Sequence, residues 1–288
     1  MITTADNILK DITDEIINIE KIPHGLANEV YKVSTSNNQY ILKVYNRLPN
    51  FNNSKVLLEN CIEKNIKIPT IIKNEVIDGK IVHLYEFIDG KHKSILNDDE
   101  IKKLVFIISN IDVLIKDYEF ENTIFTKLDK YLNYFDNNKA KKVDQKIIDN
   151  LMSKLTNINQ YSNLVMVHGD ISPTNIIFSD TMHVLDFDEA IIAPKSYELV
   201  SAIIKFCYKD GSFNLEQANK IIKEYSILKD IDKIEFINSW YLYIVKVILE
   251  KLYLYEINEI DLYDEVQIKD NWELWYKLFL DEKIIDLI

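Results

Sequence analysis

Arginine is almost missing from this chain: of 34 basic residues, Arg47 alone carries a guanidinium. Planar bidentate clamps on phosphate or carboxylate are therefore nearly excluded, and any bound anion must rely on lysine, backbone N–H groups or metal. Glycine and proline are scarce, five each, which excludes collagen-like and low-complexity linker chains. There are two cysteines, Cys61 and Cys207, far apart and at no zinc-like spacing. A disulfide framework and a zinc site are thus not indicated, and two buried thiols in a reducing compartment are expected. Long apolar runs are also lacking. The most apolar stretch, 241–249, is interrupted by Lys246 and falls far below the ~18–20 residues of a membrane span. The opening MITTADNILKDITDE has acids but no apolar core, so no secretory or transit peptide is read there and the cytoplasm is the expected compartment. Acids outnumber bases 46 to 34, a net charge of −12, which argues against a nucleic-acid binder that works by neutralising phosphates.

What remains is an ordinary globular composition, 47% hydrophobic and 28% charged over 288 residues, long enough to bury a large core without staples. The expected fold class is α+β in two lobes: residues 1–90 mostly strand, residues 91–288 mostly helix, with the boundary near 88–94. A short helix is expected at 4–15 and a strand at 16–23. Strands at 29–35 and 39–45 are separated by Ser36-Asn37-Asn38, and strands at 70–77 and 81–88 by Asp78-Gly79, the pair that a tight hairpin prefers. A helix at 54–66 should bury Leu58, Cys61 and Ile62. Asn97 and Glu100 resemble a capping box opening a helix to about 117. Further helices are expected at 124–136, 140–157, 195–208, 214–226, 231–255 and 269–284, with an island of short strands at 164–167, 175–178 and 183–187. The segment 231–255 is apolar nearly all round, which marks it as a core helix.

The strongest chemical signal is MVHGDISPTNIIFSDTMHVLDFDEA, residues 166–190. It reads strand, loop, strand, turn, strand, loop. His168, Asp170 and Asn175 come from the first loop, and Asp186 and Asp188 from the end of the following hairpin. A hairpin returns its far end to its start, so Asp186 should arrive beside Asp170 and Asn175. Such oxygen ligands suit Mg²⁺, which takes one or two carboxylates and completes its shell with phosphate and water. Phosphoryl transfer requires that arrangement. Asp170 is the candidate base, Asn175 and Asp186 are the candidate metal ligands, and His168 and Asp188 are supporting residues. Upstream, the loop 24–28, with Gly25 and Asn28, precedes the first hairpin, and its backbone N–H groups would cover phosphates. Lys43 lies mid-strand among Ile41, Leu42, Val44 and Tyr45, where an unpartnered ammonium would be costly; a polyphosphate would supply the partner.

On these residues the chain resembles the aminoglycoside phosphotransferase and choline kinase family, small-molecule relatives of the eukaryotic-type protein kinases. The matching segments are 25–31, the Lys43 strand, YEFIDG at 85–90, HGDISPTN at 168–175, LDFDEA at 185–190 and APKSYELV at 193–200. The resemblance implies a bilobal kinase fold, with ATP or GTP between the lobes and its base against the connector at Glu86 and Ile88. It also implies Asp170 as catalytic base, Asn175 and Asp186 on Mg²⁺, and Lys43 on the α/β-phosphates. Three departures stand out. The phosphate loop has one glycine, Gly25. The glutamate that usually pairs the lysine is not at its expected place, and Glu59 is the nearest candidate. The helix after residue 97 lacks the family's terminal His, with Asn110, Asp112 or Val113 near that place.

Gly169 stands where regulated protein kinases carry Arg, and Pro194 follows Asp188 too closely to leave a peptide-binding activation segment. The expected acceptor is therefore a small-molecule alcohol, bound by a monomer or weak dimer, with no nucleic acid or membrane partner. Acids at 256–273, followed by Trp272, Trp275 and Tyr276, point to an aminoglycoside-type amine sugar or a quaternary ammonium. A metabolic kinase of the choline, homoserine, methylthioribose or fructosamine type and a nucleotide-binding protein that has lost transfer are the alternatives.

Overall fold

The structure is a computed structural model that describes residues 8–9, 15–22, 28–46, 51–115, 123–136, 144–155, 163–209, 211–257 and 276–280. Gly25, Arg47, most of the expected helix at 4–15 and the acidic segment 258–275, with Trp272 and Trp275, lie outside the described residues.

The chain opens with β1 (Ile16–Ile22), β2 (Glu29–Thr35) and β3 (Gln39–Val44), then α1 (Phe51–Glu63), then the hairpin β4 (Ile71–Ile77) and β5 (Lys80–Glu86). These strands form one antiparallel sheet in the order β1-β2-β3-β5-β4. The β4–β5 turn takes Asp78 at φ 51° and Gly79 at φ 76°, the left-handed pair that a two-residue hairpin loop requires. Strand alternation sorts the residues of β3. Leu42 and Val44 point into a small core with Val33, Ile77, Val82 and Leu84, so Lys43 points to the opposite face.

The helical part begins with α2 (Asp98–Ile111), followed by β6 (Val113–Leu114), α3 (Ile124–Asp136) and α4 (Gln145–Ser153). Asn97 closes the expected capping box: its side chain accepts from Glu100 N, and the Glu100 carboxylate accepts from Asn97 N. The helix stops at Ile111 rather than near 117, because Val113 and Leu114 leave it to pair with Met166 and Val165. Next come β7 (Leu164–Val167), β8 (Ile176–Phe178), β9 (Met182–Val184) and a 3-10 turn at Phe187–Glu189. A strand absent from the sequence reading, β10 (Ile191–Pro194), pairs antiparallel with β7. The described chain continues with α5 (Tyr197–Cys207), a short hairpin of β11 (Tyr208–Lys209) and β12 (Ser212–Phe213), α6 (Leu215–Leu228) and α7 (Lys233–Glu256). Helix α7 buries Phe236, Trp240, Ile244, Val245, Ile248 and Leu252, as its all-round apolar pattern predicts. Among the described residues no helix is long and apolar enough to cross a membrane.

The inserted helix α1 belongs in packing terms to the second core. Leu57 and Cys61 are fully buried there, in one cluster with Leu104, Val105 and Ile108 of α2. Its buried face is Asn53, Ser54, Leu57 and Cys61, not the expected Leu58, Cys61 and Ile62; Ile62 is 68% exposed.

Candidate active site

The loop between β7 and β8 is held by buried polar groups. His168 is fully buried. Its Nε2 lies 2.9 Å from the Leu185 carbonyl and its Nδ1 accepts from Asp170 N at 3.2 Å. That pattern uses one ring nitrogen as donor and the other as acceptor, which is the neutral imidazole. Burial pushes its pKa down to about 4. Gly169 sits at φ 77°, and a Cβ there would lie 2.6 Å from the Glu189 carbonyl oxygen, so both the conformation and the space require glycine. From α5, the buried Glu198 accepts from Gly169 N at 2.8 Å and Ile171 N at 3.4 Å. Its burial pushes the carboxyl up to about 7.

The hairpin β8–β9 pairs Ile176 with Val184, and Leu185 N donates to the Asn175 carbonyl at 2.8 Å. The far end of the hairpin thereby returns to its start, and Asp186 comes beside the loop that bears Asp170 and Asn175. Asn175 Nδ2 donates to Asp170 Oδ2 at 2.6 Å and to the Asp170 carbonyl at 3.0 Å, which leaves its Oδ1 as an acceptor. Asp186 is in the left-handed region, φ 59° and ψ 80°, a strained backbone for a residue with a side chain.

Lys43 closes the site from the sheet. It is 7% exposed, and its Nζ donates to Asp186 Oδ1 at 2.9 Å and Asp188 Oδ2 at 2.7 Å. The Tyr45 ring lies 4.8 Å from the same Nζ. Burial works against this ammonium, but the two carboxylates outweigh it and raise Lys43 above the ordinary lysine range. For Asp186 burial likewise opposes ionisation, and Lys43 holds it below the ordinary carboxylate range. Asp188 is pushed up to about 6 by burial, with Asp186 adding to the shift and Lys43 opposing it. Asn28 Nδ2 also donates to Asp188 Oδ2, at 2.8 Å, while Asn28 Oδ1 accepts from Asn46 N. The start of β2 is thus tied to the 3-10 turn.

One expected residue is not part of this cluster. Glu59 does not pair Lys43; its side chain is 65% exposed and lies 3.9 Å from Lys55 one turn back. It is two positions from the buried Leu57, about 200° around the helix, and so faces away. The face of α1 that meets the loop offers Asn53 and Ser54 instead. Asn53 Nδ2 donates to Ala190 O at 3.2 Å and Ser54 Oγ to Phe187 O at 2.8 Å. Glu86 ends β5, where its carboxylate accepts from Thr70 N and Oγ1, and Ile88 follows in the connector.

Two residues of α5 are additions to the sequence reading. Glu198 and Lys205 are the only charged residues in an otherwise apolar helix, and both reach the loop between β7 and β8. Lys205 Nζ donates to Asp170 Oδ1. Their isolation in the apolar segment, seven residues apart and so on one helix face, is the signal that could have found them.

A metal fits this donor set only in one way. Among the described residues no three His, Cys, Asp or Glu side chains gather to hold a metal ion. The carboxylates of Asp186 and Asp188 and the spare amide oxygen of Asn175 suit a hard divalent cation that draws its remaining ligands from phosphate and water.

A five-stranded antiparallel sheet carrying a buried lysine, joined to a helical lobe carrying the loop and hairpin carboxylates, is the protein-kinase-like fold in its small-molecule form. The model of the phosphotransferase enzyme family matches residues 18–226, and the chain belongs to that family. Its fold is similar to that of choline kinase LicA from Streptococcus pneumoniae, with a TM-score of 0.70 and 17% identity over 96% of this chain and 99% of that one. It is also similar to the spectinomycin phosphotransferase APH(9)-Ia, solved with ADP and spectinomycin (TM-score 0.64, 15% identity, 99% and 96% covered). A third similar structure is an ethanolamine kinase from Plasmodium vivax (TM-score 0.64, 18% identity, 91% and 83% covered). No curated protein matches the sequence.

Proposed function

We propose that this phosphotransferase moves the γ-phosphoryl group of ATP or GTP to a hydroxyl of a small molecule, with Mg²⁺, in the cytoplasm. The observation that carries the reading is the meeting of Lys43 from the sheet with Asp186 and Asp188 from the hairpin, next to Asn175 and Asp170. In this reading Lys43 turns from the carboxylates to the α/β-phosphates when nucleotide enters. Asn175 and Asp186 hold the Mg²⁺, whose charge neutralises the phosphates during transfer. The backbone around Glu86 and Ile88 receives the base, and the loop containing Gly25 and Asn28 covers the phosphates. Asp170 orients the acceptor hydroxyl and takes its proton as the new O–P bond forms and the bond to the leaving nucleoside diphosphate breaks. His168 and Glu198 keep the loop in register for that step.

An amine sugar is the acceptor suggested by the acids and aromatics of 256–273 and Tyr276. Of these, Glu256 and Tyr276 are described; Tyr276 packs against Phe279 and accepts from Asn150 Nδ2. The acceptor's chemistry is better read from the residues around Asp170.

The test is transfer of labelled γ-phosphate to an acceptor panel by the wild-type chain and by Asp170→Ala. The variant should keep its fold and its nucleotide affinity while transfer falls by about 100-fold or more, the scale of a lost general base. Unchanged transfer in a folded Asp170→Ala protein overturns the assignment.

A further inference from the structure

We infer that the acceptor alcohol carries an anionic group close to its reacting hydroxyl, and that Lys205 receives that group. The inference rests on the kinase reading above and sets the charge of its acceptor. Asp170 has two carboxylate oxygens. Oδ2 is bonded by Asn175 Nδ2 at 2.6 Å, so Oδ1 is the oxygen open to an acceptor hydroxyl. Lys205 Nζ is already bonded to Oδ1. A hydroxyl that binds there displaces the ammonium from it.

Among the described residues the other anion whose charge reaches Lys205 is Glu250, and Lys246 already holds it. The Lys205 side chain is 20% exposed and its Nζ lies 5.8 Å from the Tyr243 ring centroid. The charged groups nearby on α7 are Lys246 and Glu250, and they satisfy one another at 2.8 Å. The second oxygen of Glu250 accepts from Tyr131 Oη at 3.2 Å. Glu198, on the same helix, is committed to the backbone N–H groups of Gly169 and Ile171. Burial and the neighbouring Lys246 push Lys205 down to about 7 against the pull of Glu250, and an anion bound beside it favours the charged form.

A displaced, half-buried ammonium without a partner is costly. An acceptor bearing a carboxylate or phosphate beside its hydroxyl replaces the lost partner. An amino alcohol does the reverse and puts a second cation next to Lys205 and Lys246. With charges about 5 Å apart and an effective dielectric of about 20, the attraction of an anion and the repulsion of an amine are each worth on the order of 100-fold against a neutral alcohol. The charge of Lys205 therefore selects hydroxy acids or phosphorylated alcohols against choline-like and amine-sugar acceptors.

A matched set of probes tests this: glycerol, glycerate, glycerol 3-phosphate and 3-amino-1,2-propanediol, which share a skeleton and differ in charge. Binding is measured by saturation-transfer NMR with Mg²⁺ and ADP present, and transfer from γ-labelled ATP or GTP is followed in parallel. In the wild-type chain at least one of the two anions should bind about 10-fold or more tighter than the amino diol; which one does so separates carboxylate from phosphate. Lys205→Glu should invert that order, and Lys205→Met, kept as the variant with the milder effect on folding, should erase it. A preference for the amino diol, no detectable binding of either anion, or an order unchanged in both variants overturns the inference. Transfer to the amino diol alone sinks the inference and leaves the kinase reading intact. Anion binding that follows Lys205, with no transfer from either nucleotide, sinks the kinase reading and leaves the charge preference standing.

Discussion

Replacing Glu198 by glutamine should expose an acid sensitivity that the native side chains conceal. His168 is neutral in the fold, fully buried, and depressed to about 4 from an ordinary 6.5. Between those values the unfolded chain binds more protons than the folded one. The contribution of His168 is therefore complete above pH 6.5 and is lost as pH falls toward 4, about 3 kcal/mol in all at roughly 1.4 kcal/mol per unit. Glu198 works in the opposite sense. Its carboxyl is raised to about 7 from an ordinary 4.5, so the folded chain binds the extra proton. Its contribution is complete below pH 4.5 and is lost as pH rises toward 7, by a similar amount. From pH 4.5 to 6.5 the two slopes oppose each other and nearly cancel. Glu198→Gln removes the Glu198 slope that offsets His168 and leaves the other titrations in place, so the variant should lose about 1 kcal/mol per pH unit relative to wild type on acidification through that window. The amide also cannot accept from both loop N–H groups, which adds a pH-independent loss of about 1–3 kcal/mol. Urea unfolding at pH 5 and pH 7, followed by circular dichroism, reads both numbers. A stability difference between variant and wild type that is the same at the two pH values refutes the reasoning.

Lys43→Met should weaken nucleotide binding and reduce kcat/KM by about 100-fold or more, since it removes the sheet's cation from the site; steady-state kinetics with ATP and GTP check this, and near-normal kcat/KM contradicts it. Gly169→Ala should destabilise the chain by about 2 kcal/mol or more. The new Cβ meets the Glu189 carbonyl at 2.6 Å in a backbone conformation that alone costs about 1 kcal/mol, and a thermal unfolding midpoint within a degree or so of wild type would refute it.

The site was legible where its geometry is local. The run from His168 to Asp188 contains its own hairpin, and a short antiparallel hairpin fixes where its ends go, so Asp186 could be set beside Asn175 from spacing alone. The capping box at Asn97 and the turn at Asp78-Gly79 are local in the same way. What could not be read depends on tertiary partners. The buried face of α1 carries Asn53 and Ser54, which a hydrophobic pattern assigns to solvent; only the carbonyls of Phe187 and Ala190 make that face an interior one. Strand β10 has four residues and no pattern of its own, and exists because β7 offers it an open edge. Glu198 and Lys205 were visible as two charges in an apolar helix, but their targets, the N–H groups of Gly169 and Ile171 and the carboxylate of Asp170, appear only once the helix is docked against the loop.

The central claim, that Lys43, Asn175 and Asp186 form one nucleotide–metal centre, is tested most directly by calorimetric titration of ATP and GTP with and without Mg²⁺, in the wild type and in Asp186→Ala. Mg²⁺ should tighten binding of at least one nucleotide to the wild-type chain by about 10-fold or more, and that dependence should vanish in the folded variant. Equal affinity with and without Mg²⁺ in the wild type, or an undiminished Mg²⁺ effect in Asp186→Ala, would contradict it.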